Sequence, residues 1–214
     1  MKNILILNSS IIVKKPIFKN DLIRLEYGES RVTSYEKGLK ALQQFNIYNN
    51  FEGVYLIDNT INDLTSLPDK IRNLLPENTI FVLKKNNKLG RKNKGAGMIS
   101  SLATNISILE KSKNIFYFEP RLIMTSDKIV KEFLSNNINM FSYEGKNRVK
   151  TGYFGSKSLD LASFLRKYSA KYILDNNIHI EDLMYEFYSQ RETLFQNTHI
   201  SKWKNYITNI YEPY

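Results

Sequence analysis

At 214 residues, 42% hydrophobic and 24% charged, the chain has the size and composition of a globular protein with a full core. No apolar run approaches the ~20 residues of a membrane-spanning helix, and without cysteine there is neither a disulfide framework nor thiolate chemistry, as expected of a cytoplasmic protein. An excess of 31 Lys+Arg over 21 Asp+Glu gives a formal charge of +10, which favours polyanionic partners, although the charge is spread widely and serves general solubility equally well.

The opening residues 1–8 are too short for a signal-peptide core and read as a first buried strand over 3–8. A helix is predicted over 35–45, with Leu39, Leu42 and Phe45 on one face and Ser34 as its cap. Residues 53–59 form a second strand that ends in Asp58 and Asn59. Ile71, Leu74 and Leu75 mark a helix with Pro68 in its first turn, and 79–83 is a third strand. A basic polar loop over 84–94 precedes helical spacing of Ile99, Leu102, Ala103, Ile106 and Leu109, then a strand over 115–118. Further helices are expected at 126–134, 159–174 and 180–188, with extended runs at 140–143 and 151–155. Alternating strands and helices of this kind predict an α/β fold with a mostly parallel sheet. Without repeat or linker, the expectation is one domain over 1–214.

Three features stand in order. The strand Val54-Tyr55-Leu56-Ile57 ends in Asp58-Asn59-Thr60. The loop then carries Asn86-Asn87-Lys88-Leu89-Gly90 and Asn93-Lys94-Gly95-Ala96-Gly97 and opens a helix. The next strand ends in Tyr117-Phe118-Glu119-Pro120-Arg121, and Glu181-Asp182 begin a later helix. This order resembles the inverting, family-2-like GT-A glycosyltransferases over about residues 1–190. The resemblance implies a GT-A-like, Rossmann-like mixed sheet flanked by helices, the nucleotide-diphospho-sugar transferase fold, with a nucleotide-binding half over 1–121 and an acceptor-side half with a helical C-terminus over 122–214. It also implies a nucleotide-sugar donor, a glycan or other hydroxyl acceptor, and a setting in surface polysaccharide or glycoconjugate synthesis.

Each residue has a chemical reason and a plainer alternative. Asp58 and Asn59 at a strand end can bind a base or ribose, or simply shape a turn. Asn93, Lys94, Gly95 and Gly97 can let a nucleotide approach a helix N-terminus, or form a tight loop. Glu119 occupies the first place of the family's Asp-x-Asp pair, whose acids hold Mn²⁺ or Mg²⁺, but the second place is Arg121. A guanidinium ligates no metal, yet it grips phosphate. Glu119 therefore binds a sugar hydroxyl, retains a weakened ion, or pairs with Arg121. Asp182 or Glu181 is implied as the base, against a helix-dipole explanation for both. Thr151, Gly152 and Tyr153 are implied as the acceptor-side wall, against a plain strand.

His179 and His199 lack partners at zinc-ligand spacing, although some GT-A enzymes bring a C-terminal histidine to the metal. Trp203, Tyr206 and Tyr211 with Lys202 and Lys204 form an aromatic-basic end suited to the core, a partner, or peripheral contact with the inner membrane face. Two readings stand beside the transferase. One is a binding module that kept the fold and lost the chemistry. The other is a nucleic-acid-binding protein, disfavoured because the basic residues form no single run and no nucleic-acid motif is present.

Overall fold

The computed structural model describes residues 1–12, 31–196, 202–205 and 210–213. In chain order the elements are β1 (Lys2–Ser9), α1 (Arg31–Gln44), a 3-10 turn (Ile47–Asn50), β2 (Gly53–Asp58), a second 3-10 turn (Leu64–Ser66), α2 (Asp69–Arg72) and β3 (Ile80–Leu83). Then come α3 (Lys94–Thr104), α4 (Ile106–Glu110), β4 (Ser112–Phe118), α5 (Lys128–Asn136) and β5 (Asn139–Ser142). The remainder is β6 (Tyr153–Lys157), α6 (Ser158–Lys167), α7 (Ala170–Asn176), α8 (Ile180–Tyr188), β7 (Thr193–Gln196) and a hairpin of β8 (Lys202–Asn205) with β9 (Ile210–Pro213).

Seven strands form one sheet in the order β3-β2-β1-β4-β6-β5-β7. β1 runs parallel to both β2 and β4, and β3 runs parallel to β2. β6 runs antiparallel to β4 and β5, and β7 lies parallel to β5, so the sheet is mixed. The central strands are buried on both faces, and their alternation divides the core in two. Ile4 and Ile6 of β1 join Ile115 and Tyr117 of β4 on the face covered by α3 and α6–α8. Leu5, Leu7, Phe116 and Phe118 point the opposite way, toward α1 and α5. This is the GT-A-like α/β architecture that the sequence implies.

Several boundaries differ from expectation for local reasons. Ser34 is no cap: it is buried inside α1, which includes Arg31. The helix expected through Leu109 divides at Asn105, whose side chain donates to the Ser101 carbonyl at 2.8 Å and competes with helix continuation. The one expected over 159–174 breaks after Lys167, and Ser169 caps α7 by accepting from the Tyr172 N–H at 3.0 Å. Pro68 stands one residue before α2.

One glycine ties the helix layer to the site. A methyl group on Gly38 of α1 would fall inside contact distance of the Pro120 and Leu122 carbonyl oxygens, which are backbone atoms with little room to yield. Gly38→Ala is therefore expected to destabilise by about 1–3 kcal/mol through overpacking. That corresponds to a drop of roughly 2–4 °C in Tm per kcal/mol at this size, readable in a thermal melt. An unchanged Tm would show that α1 can move off the 119–122 segment freely.

Candidate functional site

In the sheet order, β2, which follows β1, lies to one side of the β1–β4 pair and β5, which follows β4, to the other, so a crevice opens beyond their carboxyl ends. There the structure has a polar cleft of about 230 Å³. Its floor comes from Asn8 and Ser9 at the end of β1 and Ser10 just after it, together with Tyr117 and Glu119 at the end of β4. Arg31 and Tyr35 of α1 and Arg121 after β4 line it too, with Asn59 after β2, Asn87, Gly90, Lys94, Gly95, Gly97 and Met98 from the loop and the start of α3, and Thr151, Ile180 and Glu181.

Local hydrogen bonds set the floor. Asn8 Nδ2 donates to the Tyr117 hydroxyl at 2.9 Å, and Ser101 Oγ donates to Asn8 Oδ1 at 3.2 Å. The Ser10 N–H donates to the Tyr35 hydroxyl at 2.8 Å, while Arg31 Nε donates to the Ser10 carbonyl at 2.5 Å. Burial pushes the Tyr35 phenol up, although Arg121 and Arg31 oppose the shift, and burial followed by the charge of Glu119 raises Tyr117 well above its ordinary value. Both tyrosines are neutral hydrogen-bonding groups around neutral pH.

Asp58 is 1% exposed and lies outside this cleft. Its carboxylate accepts from Ser9 Oγ at 2.7 Å, the Ile11 N–H at 2.9 Å, the Thr60 N–H and Oγ1 both at 2.6 Å, and the Ile61 N–H at 3.1 Å. Five donors occupy the roughly four lone-pair sites of a carboxylate. Asp58 thus locks the turn after β1 to the turn after β2. Its neighbour Asn59 does reach the cleft, where Oδ1 accepts from Ser10 Oγ at 2.6 Å.

The glycine-bearing loop owes its glycines to backbone packing. A Cβ on Gly97 would lie 2.5 Å from Gly90 Cα, so the 84–93 loop rests directly on α3. A Cβ on Gly95 would lie 2.7 Å from Ile180 Cγ2, so the start of α8 seats against the start of α3. Asn93 caps α3, its Oδ1 accepting from the Ala96 N–H at 3.0 Å, and does not line the cleft. The Lys94 side of the helix start does.

Glu119 and Arg121 form an ion pair at the cleft wall. Arg121 Nε donates to Glu119 Oε1 at 2.7 Å and Nη2 donates to the same oxygen. Burial alone would raise the Glu119 carboxyl, but Arg121, with Lys94 and Arg31 further away, outweighs it and holds the carboxyl below its ordinary 4.5. A carboxyl lowered on folding contributes stability above its unfolded pKa, and that contribution is lost as pH falls through the folded value. In urea melts, the advantage of the wild type over Glu119→Gln is accordingly expected to be full above about pH 5 and to shrink below about pH 4. A constant difference across that window would show that the pair does not couple to stability.

These residues do not suit a divalent cation. Glu119 Oε1 is claimed by the Arg121 guanidinium, Lys94 and Arg31 add positive charge, and Arg121 stands where a second acid would. Among the described residues there is no group of three His, Asp or Glu side chains able to hold a metal. His199 lies outside the described residues, as does Tyr206, and the side chains of Trp203 and Tyr211 are likewise not described.

The two acids of α8 part company. Glu181 lines the cleft, is 24% exposed, accepts from Thr151 Oγ1 at 3.1 Å, and has Arg148 Nη2 3.8 Å from its second oxygen. Asp182 is 45% exposed, pairs with Arg148 Nε at 2.9 Å, and does not line the cleft. Of the expected acceptor-side wall, Thr151 is present. Gly152 instead holds the Glu119 N–H through its carbonyl at 2.8 Å, and Tyr153 is buried with its hydroxyl 2.6 Å from Ser142 Oγ.

Asn8, Ser9, Ser10, Arg31, Tyr35 and Tyr117 are cleft residues that sequence reasoning did not select. One signal was available: β1 ends in Asn8-Ser9-Ser10, the same apolar-to-polar change that draws attention to Asp58 and Asn59.

No protein-family model matches the chain, and no curated protein matches it. Solved structures do match. A Bacillus anthracis protein, provisionally described as a glucose-1-phosphate thymidylyltransferase and solved with sucrose, superposes with a TM-score of 0.55 at 9% identity, over 96% of this chain and 89% of its own. A Desulfovibrio desulfuricans G20 protein, provisionally described as a nucleotide-diphospho-sugar transferase, gives 0.54 at 10% identity over 91% and 79%. S. aureus TarS gives 0.54 at 11% identity over 95% of this chain but 36% of its own. At these identities the likeness is one of fold: this chain has the GT-A-like mixed α/β fold of these structures.

Proposed function

We propose that the chain is a glycosyltransferase that takes a sugar from a nucleotide-sugar donor and passes it to a hydroxyl acceptor. The observation that carries this reading is that one polar cleft at the carboxyl ends of β1 and β4 is lined both by three cationic side chains, Arg31, Lys94 and Arg121, and by the Glu181 carboxylate. Arg31, Lys94 and Arg121 suit a diphosphate. Asn59 and Asn87 offer amide donors and acceptors to the nucleoside or sugar. Glu181 lines the same cleft from the α8 start, where it accepts from Thr151 Oγ1.

In the proposed step Glu181 takes the proton of the acceptor hydroxyl as its oxygen forms a bond to the anomeric carbon. The bond from that carbon to the diphosphate oxygen breaks, its electron pair leaves with the nucleoside diphosphate, and the anomeric centre inverts. Cationic side chains aimed at the leaving diphosphate stabilise the charge that develops there. A glycan acceptor in a surface polysaccharide or glycoconjugate fits this chemistry. The competing reading, a module that binds nucleotide sugar without turnover, draws on the engagement of Glu119 by Arg121.

Thermal melts with UDP-, GDP-, CMP- and dTDP-sugars test the proposal without knowledge of the acceptor. A ligand at a hundred times its Kd stabilises by about 2.7 kcal/mol, and one nucleotide class is expected to raise Tm by several degrees. No shift with any member at millimolar concentration contradicts the proposal.

A further inference from the structure

The fold and the wall chemistry disagree, and the disagreement is informative. Where the resembled family has a second acid, this chain has Arg121, and the remaining acid is bound to it. Three cations from three separate elements meet at the cleft: Arg31 from the start of α1, Lys94 from the start of α3 and Arg121 from the turn after β4. We propose that this cleft binds a pyrophosphate group without a divalent ion, with Arg121, braced by Glu119, as the fixed positive charge and Lys94 and Arg31 beside it. The proposal rests on the nucleotide-sugar reading for the identity of the whole donor, but the anion subsite can be tested alone.

The geometry gives each part a reason. Arg121 is only 12% exposed, and two of its nitrogens are tied to one Glu119 oxygen, so its orientation is set before any ligand arrives. Glu119 is in turn held through its backbone N–H by the Gly152 carbonyl, which anchors the pair to the segment leading into β6. Lys94 sits in the first turn of α3, where the helix dipole adds positive potential. The backbone of Pro120 rests on Gly38 of α1, the helix that begins with Arg31, so the loop bearing Arg121 and the helix bearing Arg31 are packed directly together. A metal at Glu119 would have to displace Arg121 and sit among like charges, which costs Coulomb energy on both counts.

Calorimetric titration of inorganic pyrophosphate into the full chain tests this, first in EDTA and then with excess Mn²⁺. The expected Kd in EDTA is within about twofold of the Mn²⁺ value, and the affinity falls as salt is raised. Arg121→Ala is expected to weaken binding at least tenfold, and Arg121→Lys to recover only part, since an ammonium cannot reproduce the fork geometry. Circular dichroism checks that the variants are folded. If Arg121→Ala does not fold, Lys94→Met takes its place and is expected to weaken binding several-fold. Binding that appears only with Mn²⁺, the absence of pyrophosphate binding, or an unchanged Kd in the folded variants overturns the inference. Metal-free pyrophosphate binding without any nucleotide-sugar binding would leave it standing and remove the donor reading instead.

Discussion

Replacing Glu181 by Gln is expected to lower sugar transfer by about 10²–10⁴-fold, the usual contribution of a positioned general base. Nucleotide-sugar binding should survive nearly unchanged, because the anionic diphosphate is held by Arg31, Lys94 and Arg121 and not by a carboxylate. The amide keeps the size of the side chain and can still accept from Thr151 Oγ1, so the substitution removes a proton acceptor and little else. Asp182→Asn makes the comparison informative. Asp182 is turned to Arg148 away from the cleft, and its loss is expected to cost far less activity. The check is the initial rate of transfer beside the donor Kd for each variant. Equal rates for wild type and Glu181→Gln would remove the base assignment, and a loss confined to Asp182→Asn would reverse it.

Asp58→Ala is expected to be a stability variant with one of the larger effects in the chain. The carboxylate gathers the Ile11, Thr60 and Ile61 N–H groups and two hydroxyls in a site with 1% exposure. Truncation strands those donors away from water, and each stranded group costs about 1–3 kcal/mol unless water enters. Partial relaxation brings the expected total to about 3–5 kcal/mol. For a chain of this length that is a fall in Tm of roughly 10 °C or more. Asp58→Asn, which keeps an acceptor oxygen, should lose less. The end of β1 and the turn after it carry Ser9 and Ser10 into the cleft, so a weakened nucleotide site in the folded fraction would follow from disorder of that turn. A normal melt for Asp58→Ala combined with lost nucleotide binding would instead identify Asp58 as a direct ligand.

The Asp58 case shows where sequence reasoning stops. A carboxylate at a strand end suits a ligand and a turn equally well, and the deciding donors lie elsewhere: Ile11 N–H is 47 residues away and comes close only because β1 and β2 pair in parallel. The same topology explains the unselected floor residues. Tyr117 and Asn8 are 109 positions apart and meet because β4 lies beside β1. Strands β1, β2 and β4 were legible because apolar runs bounded by polar residues mark strands buried on both faces. Helix α8 was legible through its amphipathic spacing and the acids in its first turn. The helix breaks at Asn105 and Ser169 were not, since neither involves glycine or proline and each depends on one side chain bonding its own backbone neighbourhood. The short edge strand β7 offers only four residues, too few for a period to register.

Arg121 carried the most chemical information of any single residue in the sequence, because its type is incompatible with metal ligation whatever the fold. The structure adds its partner. Glu119 accepts two of its donors, so the carboxylate beside Arg121 at the cleft is already engaged.

The most direct test of the central claim is amide hydrogen exchange on the full chain, with and without the nucleotide sugar that raises Tm. The cleft reading predicts slowed exchange together in residues 8–12, 87–97 and 119–122, the three segments that converge at the carboxyl ends of β1 and β4. Protection confined to other segments, or no change in these three with any nucleotide sugar at millimolar concentration, would contradict it.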